Sequence, residues 1–252
     1  MGERHHDDPG PGPALLVGLL EVGEEVLLGA EAHLAYVSDN TLNGYTGPIY
    51  GRRFRLQISP VMGGLNWVEY LADYRRYDAI IFNYLTFATR AYASVSIGPD
   101  EEQFKKYIAR PDYVRGYDRN NLLFLSCPLI GASNINCNAV QLLGSRVAVA
   151  NAELRFPLVR RFELGILPVA LPPLDGLFFF DAGMAWAKGQ QVYASRPTNY
   201  DVMSDRYPLR SYGFGLRLNM FNLAILRWDY AVPLDQQGGR RGFWTWSLWP
   251  SF

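Results

Sequence analysis

Apolar and polar positions alternate with a period of two along most of this chain. The segments run about ten residues and are separated by clusters of Gly, Pro, Asn and Asp. In 211–221, Tyr212, Phe214, Leu216, Leu218 and Met220 share one face, and Ser211, Gly213, Gly215, Arg217 and Asn219 share the other. The next segment sets Ala224, Leu226, Trp228, Tyr230 and Val232 against Arg227, Asp229 and Ala231. In 176–186, Phe178, Phe180, Ala182, Met184 and Trp186 oppose Asp181 and Gly183. In 146–156, Ala148, Ala150, Ala152, Leu154 and Phe156 oppose Asn151, Glu153 and Arg155. Earlier, 87–97 alternates against Arg90, Tyr92, Ser94 and Ser96, and Phe54, Leu56 and Ile58 alternate against Arg53, Arg55 and Gln57. Segments 66–77 and 28–37 fit less cleanly, and 243–252 gathers Trp244, Trp246, Leu248 and Phe252 on one face. The pattern predicts an all-β, antiparallel fold of nine strands, with 14–22 as a tenth.

Period alone does not name the solvent, because a soluble sandwich also alternates, with its apolar face as core. Three features point to lipid instead. The apolar faces carry large aromatics near strand ends, while the polar faces mix Arg, Asp, Glu, Asn and Gly. The strands have the length a tilted strand needs to cross a bilayer, where about 5 to 6 residues is usual in soluble sheets. Short turns near 221–223 contrast with long excursions at 99–144 and 188–208. Such inequality marks an outer-membrane barrel.

Composition agrees with this reading. Charged residues are 19% and aromatics 14%, while 24 Lys and Arg balance 24 Asp and Glu. No basic field recommends a nucleic-acid partner. The apolar fraction of 49% excludes disorder, and no apolar run reaches the roughly 18 to 20 residues of a membrane-spanning helix. Residues 1–13 read as a polar tail or linker. The short apolar run after them leads straight into Glu21, Glu24 and Glu25, so no signal peptide is read here. The protein is then cytoplasmic, or its reading frame begins inside a longer one with the export signal upstream.

The long loop contains Tyr113-Val114-Arg115-Gly116-Tyr117. The strand after it reads Ala150-Asn151-Ala152-Glu153-Leu154-Arg155-Phe156-Pro157, and the next reads Phe178-Phe179-Phe180-Asp181-Ala182-Gly183-Met184-Ala185-Trp186. In order and spacing, with the terminal Phe252, these resemble the BamA/TamA-type barrel of the bacterial surface antigen superfamily. The resemblance covers about residues 28 to 252, the C-terminal half of a sixteen-stranded barrel. It implies a transmembrane β-barrel whose long loop (99–144) folds back inside, within a barrel portion spanning 14–252. It also implies localisation in the bacterial outer membrane. With nine or ten strands present, the expectation is an open, curved half-barrel sheet that does not insert stably as a monomer. Its edges would pair with the upstream half of the same barrel or with a second chain, since open edges in lipid leave backbone groups unsatisfied.

The resemblance implies a latch in which Arg115, in the turn with Gly116 and Tyr117, meets Glu153 and Asp181. A planar guanidinium bridging two carboxylates in a partly desolvated lumen would pin the loop by charge-assisted bonds. The alternative is three solvated lumen charges. Trp244, Trp246, Leu248 and Phe252 resemble a C-terminal insertion signal. In the family that last strand also pairs weakly with the first, at a seam where client strands are accepted.

No nucleophile elbow, phosphate-binding loop or zinc-protease motif occurs, so no catalytic residue and no cofactor is assigned. His5, His6, Asp7 and Asp8 sit in the Gly/Pro tail and read as solvated rather than metal-binding. Asp100-Glu101-Glu102 with Lys105 and Lys106 reads as a short helical turn with a solvated face. The function implied is insertion or export of client polypeptides, with membrane lipid as the other partner. The alternatives are a passive pore or an anchor for an upstream domain, and more remotely a soluble lipocalin-like barrel.

Cys127 and Cys137 lie in the long loop in SCPLIGASNINC. With the three His remote (His5, His6 and His33), a metal site is poorly supplied, and a disulfide closing a small loop fits better than two free thiols. Such a bridge contributes roughly 3 kcal/mol and forms in an oxidising compartment. Intact-mass measurement of exported, unreduced protein should show the loss of two hydrogens; two alkylatable thiols would overturn the pairing.

Overall fold

The computed structural model describes residues 14–22, 25–82, 84–117, 141–160, 162–163, 170–199, 201, 204–220, 223–235 and 242–250. Ten long strands make up one sheet: β1 (Ala14–Val22), β2 (Glu25–Asp39), β3 (Pro48–Gly63), β4 (Trp67–Ile81), β5 (Leu85–Ile97), β6 (Arg146–Val159), β7 (Leu174–Trp186), β8 (Leu209–Met220), β9 (Ala224–Pro233) and β10 (Phe243–Pro250). Each pairs antiparallel with its neighbour in sequence, from Leu20 opposite Leu27 in the first hairpin to Trp228 opposite Trp246 in the last. The order is a simple meander, and β1 and β10 do not pair with each other. The sheet is open.

The period of two sets the two faces. Outward lie the apolar sets read from the sequence, and they are exposed: Phe178 is 56% accessible, Trp228 52% and Trp246 75%. Inward lie Ser59, Ser94, Glu153, Asp181, Ser211, Arg217, Asn219 and Asp229, all buried. A water-soluble sheet does the reverse. The inversion requires an apolar solvent outside and leaves the polar groups to satisfy one another within. No helix among the described residues is long and apolar enough to cross a membrane; the crossing elements are strands.

The interior is filled from both ends. Between β5 and β6, the described residues 98–117 and 141–145 lie in the concave face, where Ile108, Val114, Tyr117 and Leu142 form an apolar core with Tyr92, Val147, Val149 and Leu209. Leu71 of β4 packs against it. This explains why the alternation is blurred in β4: its inward face meets apolar loop residues as well as charges. At the opposite end the β2–β3 connection, 40–47, also turns inward. Thr46 is buried and donates to the Asp175 carboxylate at the start of β7, and Asn219 at the end of β8 donates to the Tyr45 carbonyl. This connection ties early strands to late ones across the concave face.

The acidic segment of the long loop departs from the sequence reading. Residues 99–103 form turns, with the Gln103 amide donating to the Asp100 carbonyl at 3.1 Å, but their charges are not all solvated. Glu101 is buried, accepting from the Gly98 amide and pairing with Arg146 at 3.3 Å, and Lys106 meets Glu69 at 3.0 Å. Glu101 and Lys106 thus face partners on β6 and β4, while Glu102 and Lys105 are exposed as expected. The period cannot show this, because the partners lie 34 or more residues away in sequence.

Phe180 lies near the middle of β7 on the outward face and is 44% accessible. Phe180→Arg is expected to destabilise the folded state in phospholipid liposomes by about 2–4 kcal/mol, as for a cation facing lipid at mid-depth. Urea unfolding of liposome-bound protein checks this. A loss within about 0.5 kcal/mol, as for a water-exposed site, would contradict a lipid-facing surface.

Candidate functional site

The loop tip and the sheet interlock through side chains spaced two apart. Val114 and Arg115 reach β7, where Gly183 and Asp181 occupy successive inward positions. Gly183 leaves open the space that Val114 fills; a Cβ there would collide with Val114 Cγ2. Gly116 has φ of 85°, in the left-handed region that Gly adopts at no steric cost, and its Cα faces Ala231 of β9. With the valine seated and the turn made, Arg115 is set down over Asp181.

Arg115 is 3% accessible. Its Nε donates to Asp181 Oδ2 at 2.7 Å and its Nη2 to Asp181 Oδ1 at 2.8 Å, a two-point fork, and its backbone amide adds a third bond at 3.2 Å. Nη2 also lies 3.0 Å from Glu153 Oε1, and Nη1 lies 3.7 Å from Asp229 Oδ1, beyond hydrogen-bond range. The guanidinium carbon sits 3.5 Å from the centre of the Phe179 ring, a cation–π contact from the floor. Burial alone would lower the guanidinium pKa, but Asp181, Glu153 and Asp229 outweigh it and hold it above its usual value. The cation is thus permanent.

Around this pair the other groups are shared. Glu153 Oε2 accepts from Arg155 and from Arg217, each at 2.7 Å. Asn151 donates to Asp181 at 2.8 Å and to the Tyr113 carbonyl at 2.6 Å. Arg90 donates to the Asp112 carbonyl at 2.6 Å, and the Tyr92 and Tyr113 rings stack with centroids 4.9 Å apart. Tyr117 donates to the Arg210 carbonyl at 2.8 Å and accepts from the Asp235 amide at 3.1 Å. Burial, the largest influence, pushes its phenol above the usual value, so it stays a neutral donor.

The structure therefore brings Arg115 onto Glu153 and Asp181, whereas Gly116 lies against Ala231 and Tyr117 bonds Arg210 and Asp235. Trp244, Trp246 and Leu248 share the outward face of β10, at 54%, 75% and 58% accessible. Phe252, Cys127 and Cys137 lie outside the described residues. Sequence reasoning missed Asp229 and Phe179 as partners of Arg115, and Asn151 as a partner of Asp181. Asp229 and Asn151 were legible as inward positions, but nothing along the chain gives the strand-to-strand distance. Phe179 was hidden by lying between two outward phenylalanines. Gly213 and Gly215 of β8 carried the signal, since a Cβ at Gly213 would strike the Phe179 ring and one at Gly215 would strike Asp229.

Residues 34–248 match the Omp85 superfamily domain. The chain belongs to the Omp85 superfamily. Members of this superfamily are bacterial outer-membrane proteins that insert or translocate other polypeptides without covalent chemistry. A comparison with curated proteins returns no match.

The buried network sets a ranking for variants of this Omp85 domain. Asp181→Asn strips Arg115 of its forked partner and should cost about 3–5 kcal/mol. Gly116→Ala, strained by its positive φ, should cost about 1–2 kcal/mol. Urea titration in detergent micelles with a probe in the loop checks both; a Gly116→Ala loss equal to that of Asp181→Asn would show that the turn, not the ion pair, fixes the loop.

Proposed function

We propose that this chain serves in the assembly or translocation of other outer-membrane polypeptides, with Arg115, in the turn with Gly116 and Tyr117, docked on Glu153 and Asp181 as the latch that keeps the long loop inside. The observation that carries the reading is the edge of β10, which hydrogen-bonds to β9 on one side and to no described strand on the other. An unpaired strand edge in lipid leaves donors and acceptors unsatisfied at several kcal/mol each. An incoming strand satisfies them by β-augmentation, which needs no sequence match in the client. The exposed Trp244, Trp246 and Leu248, together with Phe252, then act as the insertion signal of this strand. The partners on this reading are membrane lipid and client polypeptides, and the location is the bacterial outer membrane.

The alternative of a passive pore is disfavoured by the filled interior. Tyr117, Ile108, Leu142 and Val114 occupy the concave face with essentially no accessible surface. A lumen so occupied conducts poorly. Domain organisation follows the same reading: 14–252 is barrel, 99–144 its inward loop, and 1–13 a polar tail.

Proteoliposomes carrying the chain should speed the folding of a small client barrel relative to protein-free liposomes, as read on semi-native gels. Arg115→Glu places a fourth carboxylate beside Glu153, Asp181 and Asp229. It should cost at least the roughly 3–5 kcal/mol of a broken buried pair, release the loop to protease and abolish the acceleration. Client folding at the protein-free rate with wild-type chain, accompanied by large steady conductance, would instead favour the pore.

A further inference from the structure

Between the two inward segments lies a cavity of about 470 Å³. The tip of the long loop closes one side through Pro111, Asp112 and Arg115, and the 40–47 connection closes the other through Thr41, Thr46 and Gly47. Seven of its lining residues are arginines, against three acids. Acids behind the lining reduce the imbalance without cancelling it. Arg75 and Arg90 share the single carboxylate of Asp73, at 2.7 and 2.9 Å. Arg115, Arg155, Arg217 and Arg227 face Glu153, Asp181 and Asp229. Arg53 has its own partner in Asp39, at 3.7 Å, and Asp112 of the lining has one in Arg110, at 3.5 Å. The Arg75–Arg90 group thus holds one guanidinium more than it holds carboxylates. Asp175, which accepts from Thr46, stands opposite Arg217 in the β7–β8 register and brings the other group to four carboxylates for four guanidiniums. The Nε of Arg217 is buried without an acceptor among the described residues.

Like charges this close in a partly desolvated interior repel strongly unless an anion joins them. Guanidinium forks match tetrahedral oxyanions in geometry as well as charge. The surplus cation and the acceptor-less Arg217 Nε suit an oxyanion of the phosphate class, such as a phosphate monoanion or a phosphodiester. The cavity exceeds a bare phosphate, leaving room for a substituent or ordered water.

We propose that this chamber is a binding site for a phosphate-class oxyanion, either free phosphate or the phosphorylated headgroup of a lipid, held by Arg155 and Arg217 with Arg90 and Arg75 opposite. The site is independent of the assembly reading. It would neutralise the interior and brace the two inward segments against each other.

The test titrates inorganic phosphate into the full chain in detergent micelles at constant ionic strength, by calorimetry, with chloride as the matched control. Native mass spectrometry of the same preparation reads any retained phospholipid. Saturable phosphate binding without retained lipid assigns the free anion. A phospholipid retained by wild type and released by Arg155→Gln or Arg217→Gln assigns the headgroup. In either arm Arg217→Gln should weaken binding about tenfold or more. Neither phosphate binding nor retained lipid in wild-type protein overturns the proposal whatever the variants do. So does equal binding by correctly folded Arg217→Gln, with folding judged by an unchanged loop-protection pattern.

Discussion

A permanent cation buried in the concave face of an open sheet governs this structure. Arg115 arrives on a loop, but its three carboxylate neighbours come from β6, β7 and β9. A guanidinium has fixed fork geometry, so satisfying it fixes where those strands stand relative to one another. Stripping one partner leaves an uncompensated charge, which is far costlier than losing a surface pair. The loop is therefore not an accessory laid on a finished sheet. It is the element against which the curvature of the late strands is set.

Around that cation the interior combines two kinds of packing usually kept apart. Near the loop end, Ile108, Val114, Leu142 and Leu209 form an apolar core that would suit a soluble protein. Beside it, arginines and carboxylates share bonds, Glu153 alone serving Arg115, Arg155 and Arg217. Glycines let the two meet. Gly183 accepts Val114, and Gly213 admits the Phe179 ring on which the guanidinium rests. Outside, the same strands show aromatic and aliphatic side chains, so both faces are partly apolar and only the inner one is built by contacts within the chain.

Much of this was legible along the chain, for a physical reason. A strand's period is short, so Phe178, Phe180, Tyr212, Phe214 and their neighbours declare their face within a few residues. Arg115, Glu153 and Asp181 could be singled out because each lies in one of the three motifs that carry the family resemblance. The strands beginning at Glu25 and Trp67 were harder, since the inward positions of β4 include Leu71, which looks outward by hydropathy until the loop core is known. Distances across the concave face were not legible at all. Asp229 beside Arg115, Glu101 beside Arg146, and the inward turn of 40–47 onto Asp175 depend on how far the sheet curls, which no local pattern encodes.

The inward segments also impose an order in time. Most neighbouring strands join through close partners, but β5 and β6 pair across 51 positions or more, Arg115 meets a residue 66 positions later and Tyr117 one 93 positions later. Thr46 must wait for a residue 129 positions on, and Tyr45 for one 174 positions on. Hairpins can therefore zip as they emerge, while both inward segments stay unmatched until β7 and β8 exist. Lengthening a loop adds only about 0.6 kcal/mol per doubling to its closure, so the delay is one of topology rather than of final stability. The slow event in the folding of this chain is the docking of its earliest turn and its longest loop onto its latest strands.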